Sequence, residues 1–109
     1  MYLMIVAWDL ARSEQTTTSL RDYLRDYAVD AFTGLDGMLG KFWFSNEPRQ
    51  IWGAVYLWTT LAHADPARLP SRAVELIGYE PTSVSVFALE AVAAGADWSK
   101  LLDGGVVHA

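Results

Sequence analysis

The chain has 109 residues, a length typical of one domain with one hydrophobic core. Its net charge is −5 and no cluster of Lys and Arg occurs, which argues against nucleic acid or an anionic membrane surface as a partner. The lack of cysteine excludes disulfides and thiolate chemistry, and no apolar run is long enough to span a membrane, so we expect a soluble, cytoplasmic protein.

The chain is more apolar than an average soluble domain. Hydrophobic residues make up 52% of it and charged residues only 19%. A domain of this size has little interior in which to bury the excess. We therefore expect a partner surface or a ligand cavity to cover part of it.

The first predicted elements are a strand and an amphipathic helix. Tyr2 to Trp8 is a continuous apolar run of bulky residues, which is typical of a central strand. Apolar residues then recur at helical spacing from Leu20 to Phe32, with Arg and Asp on the opposite face. Polar residues from Ala11 to Thr16 supply the helix cap, and Gly34 and Gly37 end the helix.

A hairpin follows the helix. Leu39 to Ser45 and Ile51 to Thr59 are two β-prone segments, and the turn Asn46 to Arg49 separates them. Because the connection is short, the two strands are predicted to pair antiparallel.

A second helix and a fourth strand complete the pattern. Asp65 followed by Pro66 is a typical helix start, and Pro70 predicts a short or broken helix that runs to Ile77 and closes at Gly78. Thr82 to Leu89 is the fourth predicted strand.

The order β-α-β-β-α-β predicts an α+β, ferredoxin-like fold over residues 1–90, followed by a C-terminal tail, residues 91–109. In this fold the sheet is antiparallel and both helices lie on one face. The strands are apolar on both faces, so something must cover the other face. We expect a homodimer in which two open faces meet, as in a dimeric α/β barrel.

Strand alternation predicts which side chains face this open side. Small and aliphatic residues suit packing beneath the helices, which leaves the rings for the open face. The side chains predicted there are Trp8, Trp43, Tyr56, Trp58 and Phe87, with Lys41 and Ser85 as isolated polar groups. Such a surface suits a pocket for a hydrophobic aromatic small molecule, although the same rings suit a dimer interface without a ligand.

Two residues are candidates for acid–base chemistry. Lys41 lies on an apolar strand, where desolvation lowers the pKa of a lysine and suits it to bind an anionic or phenolate substrate. The alternative is that the side chain extends along the apolar surface and places its amine in water at the rim of the barrel. His63 follows the third strand and is either a base or haem ligand at the cavity mouth or a solvated loop residue. His63 and His108 are the only histidines and have no metal-binding spacing, so we expect no metal centre built by the protein.

Three segments resemble the YdhR-like monooxygenases of the dimeric α/β-barrel superfamily. They are Gly37-x-x-x-Lys41-Phe42-Trp43, Gly53-Ala54-Val55-Tyr56-Leu57-Trp58-Thr59 and Val84-Ser85-Val86-Phe87. The resemblance extends from Leu3 to Leu89 and does not include the tail.

The resemblance implies a homodimer that oxygenates an aromatic or polyketide-like molecule without metal or flavin. In this chemistry the substrate carbanion reduces oxygen, and the protein deprotonates the substrate, stabilises the anion and excludes water. Lys41, Tyr56 and His63 are the catalytic candidates; Trp8, Trp43, Trp58, Ser85 and Phe87 are the candidates for binding. A cyclase or isomerase of the same superfamily, and a ligand-binding dimer without chemistry, remain the alternatives.

Overall fold

Four strands form one antiparallel sheet in the computed structural model, which describes residues 1–107. The strands are β1 (Tyr2–Asp9), β2 (Met38–Asn46), β3 (Ile51–Trp58) and β4 (Ser83–Ala88). Their order across the sheet is β2-β3-β1-β4, so β1 and β3 are central and β2 and β4 are edge strands. This α+β arrangement of one sheet and two helical connections is consistent with the predicted ferredoxin-like fold.

The first connection is one long helix built from three segments. It comprises α1 (Thr17–Tyr23), a π-helical segment (Leu24–Ala28) and α2 (Val29–Phe32), and the three together are called the long helix below. Thr16 begins it with a reciprocal cap: its hydroxyl accepts from the Ser19 backbone N–H at 3.1 Å, and the Ser19 hydroxyl accepts from the Thr16 N–H at 2.9 Å.

The π-helical segment keeps the apolar face of the long helix on the sheet. Leu20, Leu24, Ala28 and Phe32 are all buried and lie four residues apart. In a regular α-helix each step of four residues turns about 40° past a full turn, so such a stripe would wind away from the sheet. The wider π turn compensates for this rotation.

The second connection is short and interrupted, as predicted. It contains 3₁₀ turns at Leu61–Ala64 and Pro66–Arg68 and then the helix α3 (Ala73–Ile77). The Asp65 carboxylate caps the second turn by accepting from the Ala67 N–H at 3.0 Å. Gly78, with φ 103°, ends α3 in the left-handed region that favours glycine.

The predicted assignment of strand faces is reversed for β1, β2 and β3, whereas β4 faces as predicted. The side chains buried beneath the helices are Met4, Val6 and Trp8 of β1 and Trp52, Ala54, Tyr56 and Trp58 of β3. Cross-strand pairs such as Met4–Tyr56 and Val6–Ala54 place these residues on one face. Of the rings expected on the open face, Trp8, Tyr56 and Trp58 are core residues, Trp43 packs against the core, and Phe87 lies on the open side.

The short second helix explains this reversal. A helix of only five residues, α3, brings few side chains to the sheet, so large rings on the strands must fill the space below the helical layer. Trp58 is fully buried and stacks on Tyr56 with ring centroids 5.3 Å apart. Trp8 donates from its indole N–H to the Tyr79 carbonyl at 2.9 Å.

The opposite face of the sheet is aliphatic and phenylalanine-rich. Its half-buried side chains, none of which any helix covers, are Leu3, Ile5, Phe42, Phe44, Val55 and Leu57. This set is called the uncovered face below. Close packing within it depends on Gly53, since a Cβ there would lie 2.4 Å from the Val6 carbonyl oxygen and 2.5 Å from the Phe44 ring.

The tail packs back on the domain. It contains a 3₁₀ turn, Trp98–Leu101, and the half-buried Val106 contacts the core. His108 and Ala109 lie outside the described residues. Within residues 1–107, no helix has the length and apolar character needed to cross a membrane.

Gly53→Ala is expected to destabilise the protein by about 1–3 kcal/mol, because the new methyl group overlaps backbone on β1 and the ring of Phe44. Urea unfolding measures the change. Gly95→Ala is the matched control, since a Cβ at Gly95 has no neighbour within 4 Å, and its expected effect is below about 0.5 kcal/mol. Equal stability of the two variants would contradict the packing at Gly53.

Candidate functional site

A cavity of about 460 Å³ lies between the long helix, the edge strand β2 and the tail. This volume lies in the range of small-molecule sites. The helix contributes Leu24, Val29 and Phe32, and the tail contributes residues 104–107 among others. The cavity has side chains from both faces of β2 in its wall, namely Lys41, Trp43 and Ser45 from the helix side and Phe42 and Phe44 from the other. It therefore lies over the edge of the sheet.

A β-bulge sets which side chains of β2 face the helices. Met38 pairs with Trp58 and Gly40 pairs with Leu57, so Leu39 is an extra residue without a partner. The extra residue shifts the alternation by one. As a result Met38 and Lys41, three residues apart, both reach the cavity.

The Lys41 amine lies among three aromatic rings. Its Nζ is 3.4 Å from the ring centroid of Phe32, 4.3 Å from that of Tyr56 and 4.5 Å from that of Trp43. Within residues 1–107, no carboxylate oxygen lies within 4.0 Å of this nitrogen. The side chain thus has an apolar, aromatic environment and no counter-ion there.

Two effects of this environment on the pKa of Lys41 oppose each other. Burial removes water from the ammonium and lowers the pKa from 10.5 to about 6. The ring faces attract the ammonium and act on the pKa in the other direction. Because desolvation is the larger effect, the amine changes its charge near neutral pH instead of near pH 10.

Tyr56 keeps its phenolic proton. Burial raises its pKa above the ordinary value of 10.0, and the nearby Tyr23 raises it further. The phenol is therefore neutral across the physiological range. It pairs with Lys41 across the β2–β3 ladder, so a neutral hydroxyl group and a titrating amine are neighbours on one face of the sheet.

A second, much smaller void lies deeper, between the sheet and the helical layer. Its volume is about 10 Å³, close to that of one water position, and its wall includes Trp8, Tyr23 and Ser71. Lys41, Trp43 and Trp52 are common to both spaces, so the Lys41 amine lies between the large cavity and this void.

Some of the residues predicted for the site come together here. Lys41 and Trp43 line the large cavity, and Tyr56 contacts the Lys41 amine. Trp8 lines the deeper void. Lys41, Trp43 and Tyr56 were predicted to share a face, and they do, although they lie in contact beneath the helices and not on the open face.

Four other predicted site residues lie elsewhere. Trp58 is fully buried behind Tyr56, and its indole N–H has no hydrogen-bond partner. Ser85 and Phe87 pair with Ile5 and Leu3 of β1, which places them on the same side as the uncovered face. His63 packs its ring directly against Gly37, and it is in the wall of neither space.

The sequence analysis missed Phe32 and the tail as parts of the site. Phe32 is the last apolar residue of the long helix, and the helical periodicity alone places it over the sheet at the helix end. The tail carries a weaker signal in its apolar pair Val106 and Val107, which line the cavity. Within residues 1–107, no group of three His, Asp or Glu side chains is arranged to hold a metal ion.

The titration of Lys41 predicts a pH-dependent stability difference between the wild type and Lys41→Met. Between pH 6 and 10.5 the unfolded chain binds the proton of Lys41 and the folded chain does not, so the wild-type free energy of unfolding rises with pH. Lys41→Met lacks this contribution. Its stability advantage is expected to be largest at or below pH 6 and to shrink by up to about 1.4 kcal/mol per pH unit above it.

Urea unfolding from pH 6 to pH 9 measures this difference. The matched control is Lys100→Met, which removes the only other lysine, an exposed one that pairs with Asp97 at 3.6 Å. The difference in free energy of unfolding between Lys100→Met and the wild type is expected to be the same from pH 6 to pH 9. A difference for Lys41→Met that is also independent of pH would contradict the lowered pKa.

The cavity and the amine in its wall are the features from which a function can be inferred. The resemblance to the YdhR-like monooxygenases stays a prediction. The chain matches none of the protein families with which it was compared, and no curated protein is significantly similar to it.

Proposed function

We propose that this protein is an enzyme that deprotonates an aromatic or polyketide-like small molecule in the cavity and directs its cofactor-independent monooxygenation. The observation that carries the proposal is the Lys41 amine, which lies in the cavity wall among three rings, where burial lowers its pKa to about 6. A lysine in water is almost fully protonated at neutral pH and is a poor base. Desolvation makes this one an amine that can accept a proton.

The first step is proton transfer from a carbon or hydroxyl acid of the substrate to Lys41 Nζ. The ammonium that forms lies against the ring faces of Phe32, Tyr56 and Trp43, which stabilise a cation. Tyr56 lines only the deeper void and contacts the amine with its ring, so it acts on Lys41 and not on the substrate. Because its phenol keeps its proton, it adds no negative charge beside the ammonium.

The second step is oxidation of the carbanion by molecular oxygen. For a ring CH₂ group the balance is CH₂ + O₂ → C=O + H₂O: one oxygen atom stays on carbon, and the other leaves as water with both hydrogens. The carbon loses four electrons and O₂ gains four, so no further reductant enters. The apolar walls of the cavity limit the access of water to the anion. This step rests on the family resemblance.

The uncovered face supports a homodimer as the active form. Its aliphatic and Phe side chains form a continuous apolar surface on the two central strands and β2. A second copy offers a surface of the same character, and a two-fold arrangement of sheets buries both. The dimeric α/β barrel predicted from the sequence is such an arrangement.

Val55→Glu is expected to convert the dimer to a monomer, because it places a charge at the centre of the uncovered face, between Ile5 and Phe42. Sedimentation velocity at micromolar concentration measures the change. Val92→Glu, at a tail residue that is 68% exposed, is the control and is expected to leave the dimer intact. A well-folded wild-type monomer under these conditions would contradict the dimer.

Anthrone, a tricyclic carbon acid with one reactive ring CH₂ group, is the probe for the reaction. We expect uptake of one O₂ per anthrone and one atom of ¹⁸O in the quinone formed under ¹⁸O₂. Lys41→Met is expected to lower the rate by about 10²–10⁴-fold, the usual contribution of a general base. Arg49→Met, which removes a cation from an exposed turn, is the control and is expected to keep the wild-type rate.

Two outcomes of this assay would contradict the proposal in different ways. An unchanged rate in Lys41→Met would show that Lys41 is not the general base. Turnover without oxygen, to a rearranged product, would replace monooxygenation by a cyclase or isomerase reaction that uses proton transfer alone.

A further inference from the structure

The charges around the large cavity differ in sign from the charge of the whole protein. The chain has 13 acidic residues, 8 basic residues and a net charge of −5. Three of the basic residues, Arg21, Lys41 and Lys100, line the cavity, whereas no Asp or Glu does so among the described residues. In the described part of this acidic protein, the wall of the large cavity therefore has basic side chains and no acidic ones.

Arg21 and Lys100 are the two outer members of this set. Arg21 is half-buried on the long helix, and within residues 1–107 it has no carboxylate within 4.0 Å. Its neighbour Arg25 points to solvent and pairs with Asp22 at 2.8 Å, so the helix does offer an acidic partner, but Arg21 does not use it. Lys100 contacts Asp97 at 3.6 Å, and because both side chains are about 80% exposed this pair is weak.

We propose that the ligand of this cavity is an aromatic acid, with its carboxylate held between Arg21 and Lys100 and its ring system packed against Phe32 and Trp43 towards Lys41. The inference rests on the proposed function and gives its substrate class. The guanidinium of Arg21 is suited to bind a carboxylate through two parallel hydrogen bonds. Lys100 adds a second, exposed cation from the tail.

The physical reason is the cost of bringing an anion into an apolar space. A carboxylate that loses its water in such a cavity is strongly unfavourable unless cations pair with it. Arg21 and Lys100 supply that pairing at the outer part of the wall, where exposure is greater. Deeper in the cavity the wall is aromatic, so it favours rings over charge. An amphipathic acid matches this gradient better than a neutral aromatic molecule or a small inorganic anion.

The test compares two ligands that differ only in the carboxylate, 6-hydroxy-2-naphthoic acid and 2-naphthol, by isothermal titration calorimetry at pH 7. We expect the acid to bind at least 10-fold more tightly, as for hydrogen bonds to a charged group. Arg21→Gln is expected to weaken binding of the acid by 10-fold or more and to change the Kd of 2-naphthol by less than 2-fold. Arg25→Gln, on the same helix but outside the cavity wall, is the matched control and is expected to change neither.

The outcomes separate this inference from the proposed function. Equal binding of the two ligands, unaffected by Arg21→Gln, would overturn the carboxylate site and leave the aromatic cavity and the reaction standing. Binding of neither ligand would overturn both. Raising the salt concentration from 50 to 500 mM gives an independent readout. Because salt screens charge pairing, it is expected to weaken binding of the acid and to leave binding of 2-naphthol unchanged.

Discussion

The packing of the β3 rings against the long helix is the interaction on which the rest of the molecule depends. Tyr56 and Trp58 fill the space between sheet and helix, and Phe32 meets Tyr56 with its edge at a centroid distance of 6.0 Å. Because α3 has only five residues, no second helix of comparable length shares this burial. At the edge strand β2, a space remains beside the long helix, and the tail completes its wall. This space is the large cavity.

The same aromatic layer gives Lys41 its chemistry. An amine on the opposite face of β2 would lie beside Phe42 and Phe44 at the open side of the sheet and keep more of its water. On the helix side it meets the faces of three rings, and the pKa falls because the ammonium loses solvent without gaining a counter-ion. A charge in this position lowers stability, and native proteins retain such costs mainly where a site requires them. The geometry that holds the core together is thus also the geometry that lowers the pKa of the Lys41 amine.

The sequence predicted the elements well and the faces poorly. The helix cap, the hairpin and the broken second helix follow from local signals, such as Thr16, the Asn46 turn and the two prolines, and these are independent of the rest of the fold. The choice of face depends on the volume to be filled between sheet and helices. Both rings and aliphatic side chains can pack against a helix, and the short α3 leaves a space that favours the larger rings. Neighbours along the ladder, such as Lys41 and Tyr56, were predictable because alternation fixes relative positions. Contributions from distant segments, such as Phe32 and Lys100, were not, since no local pattern connects them to β2.

The bulge at Leu39 makes the cavity wall depend on strand register as well as on side-chain identity. If Leu39 entered the ladder, Met38 and Lys41 would be three residues apart in a regular strand and would face opposite sides of the sheet. Removal of Leu39 would instead leave them two residues apart, and both would stay on the helix side. Relatives of this chain that lack this one residue would therefore be expected to keep the amine in the cavity wall without a bulge, whereas relatives that keep the residue need the bulge to hold it there.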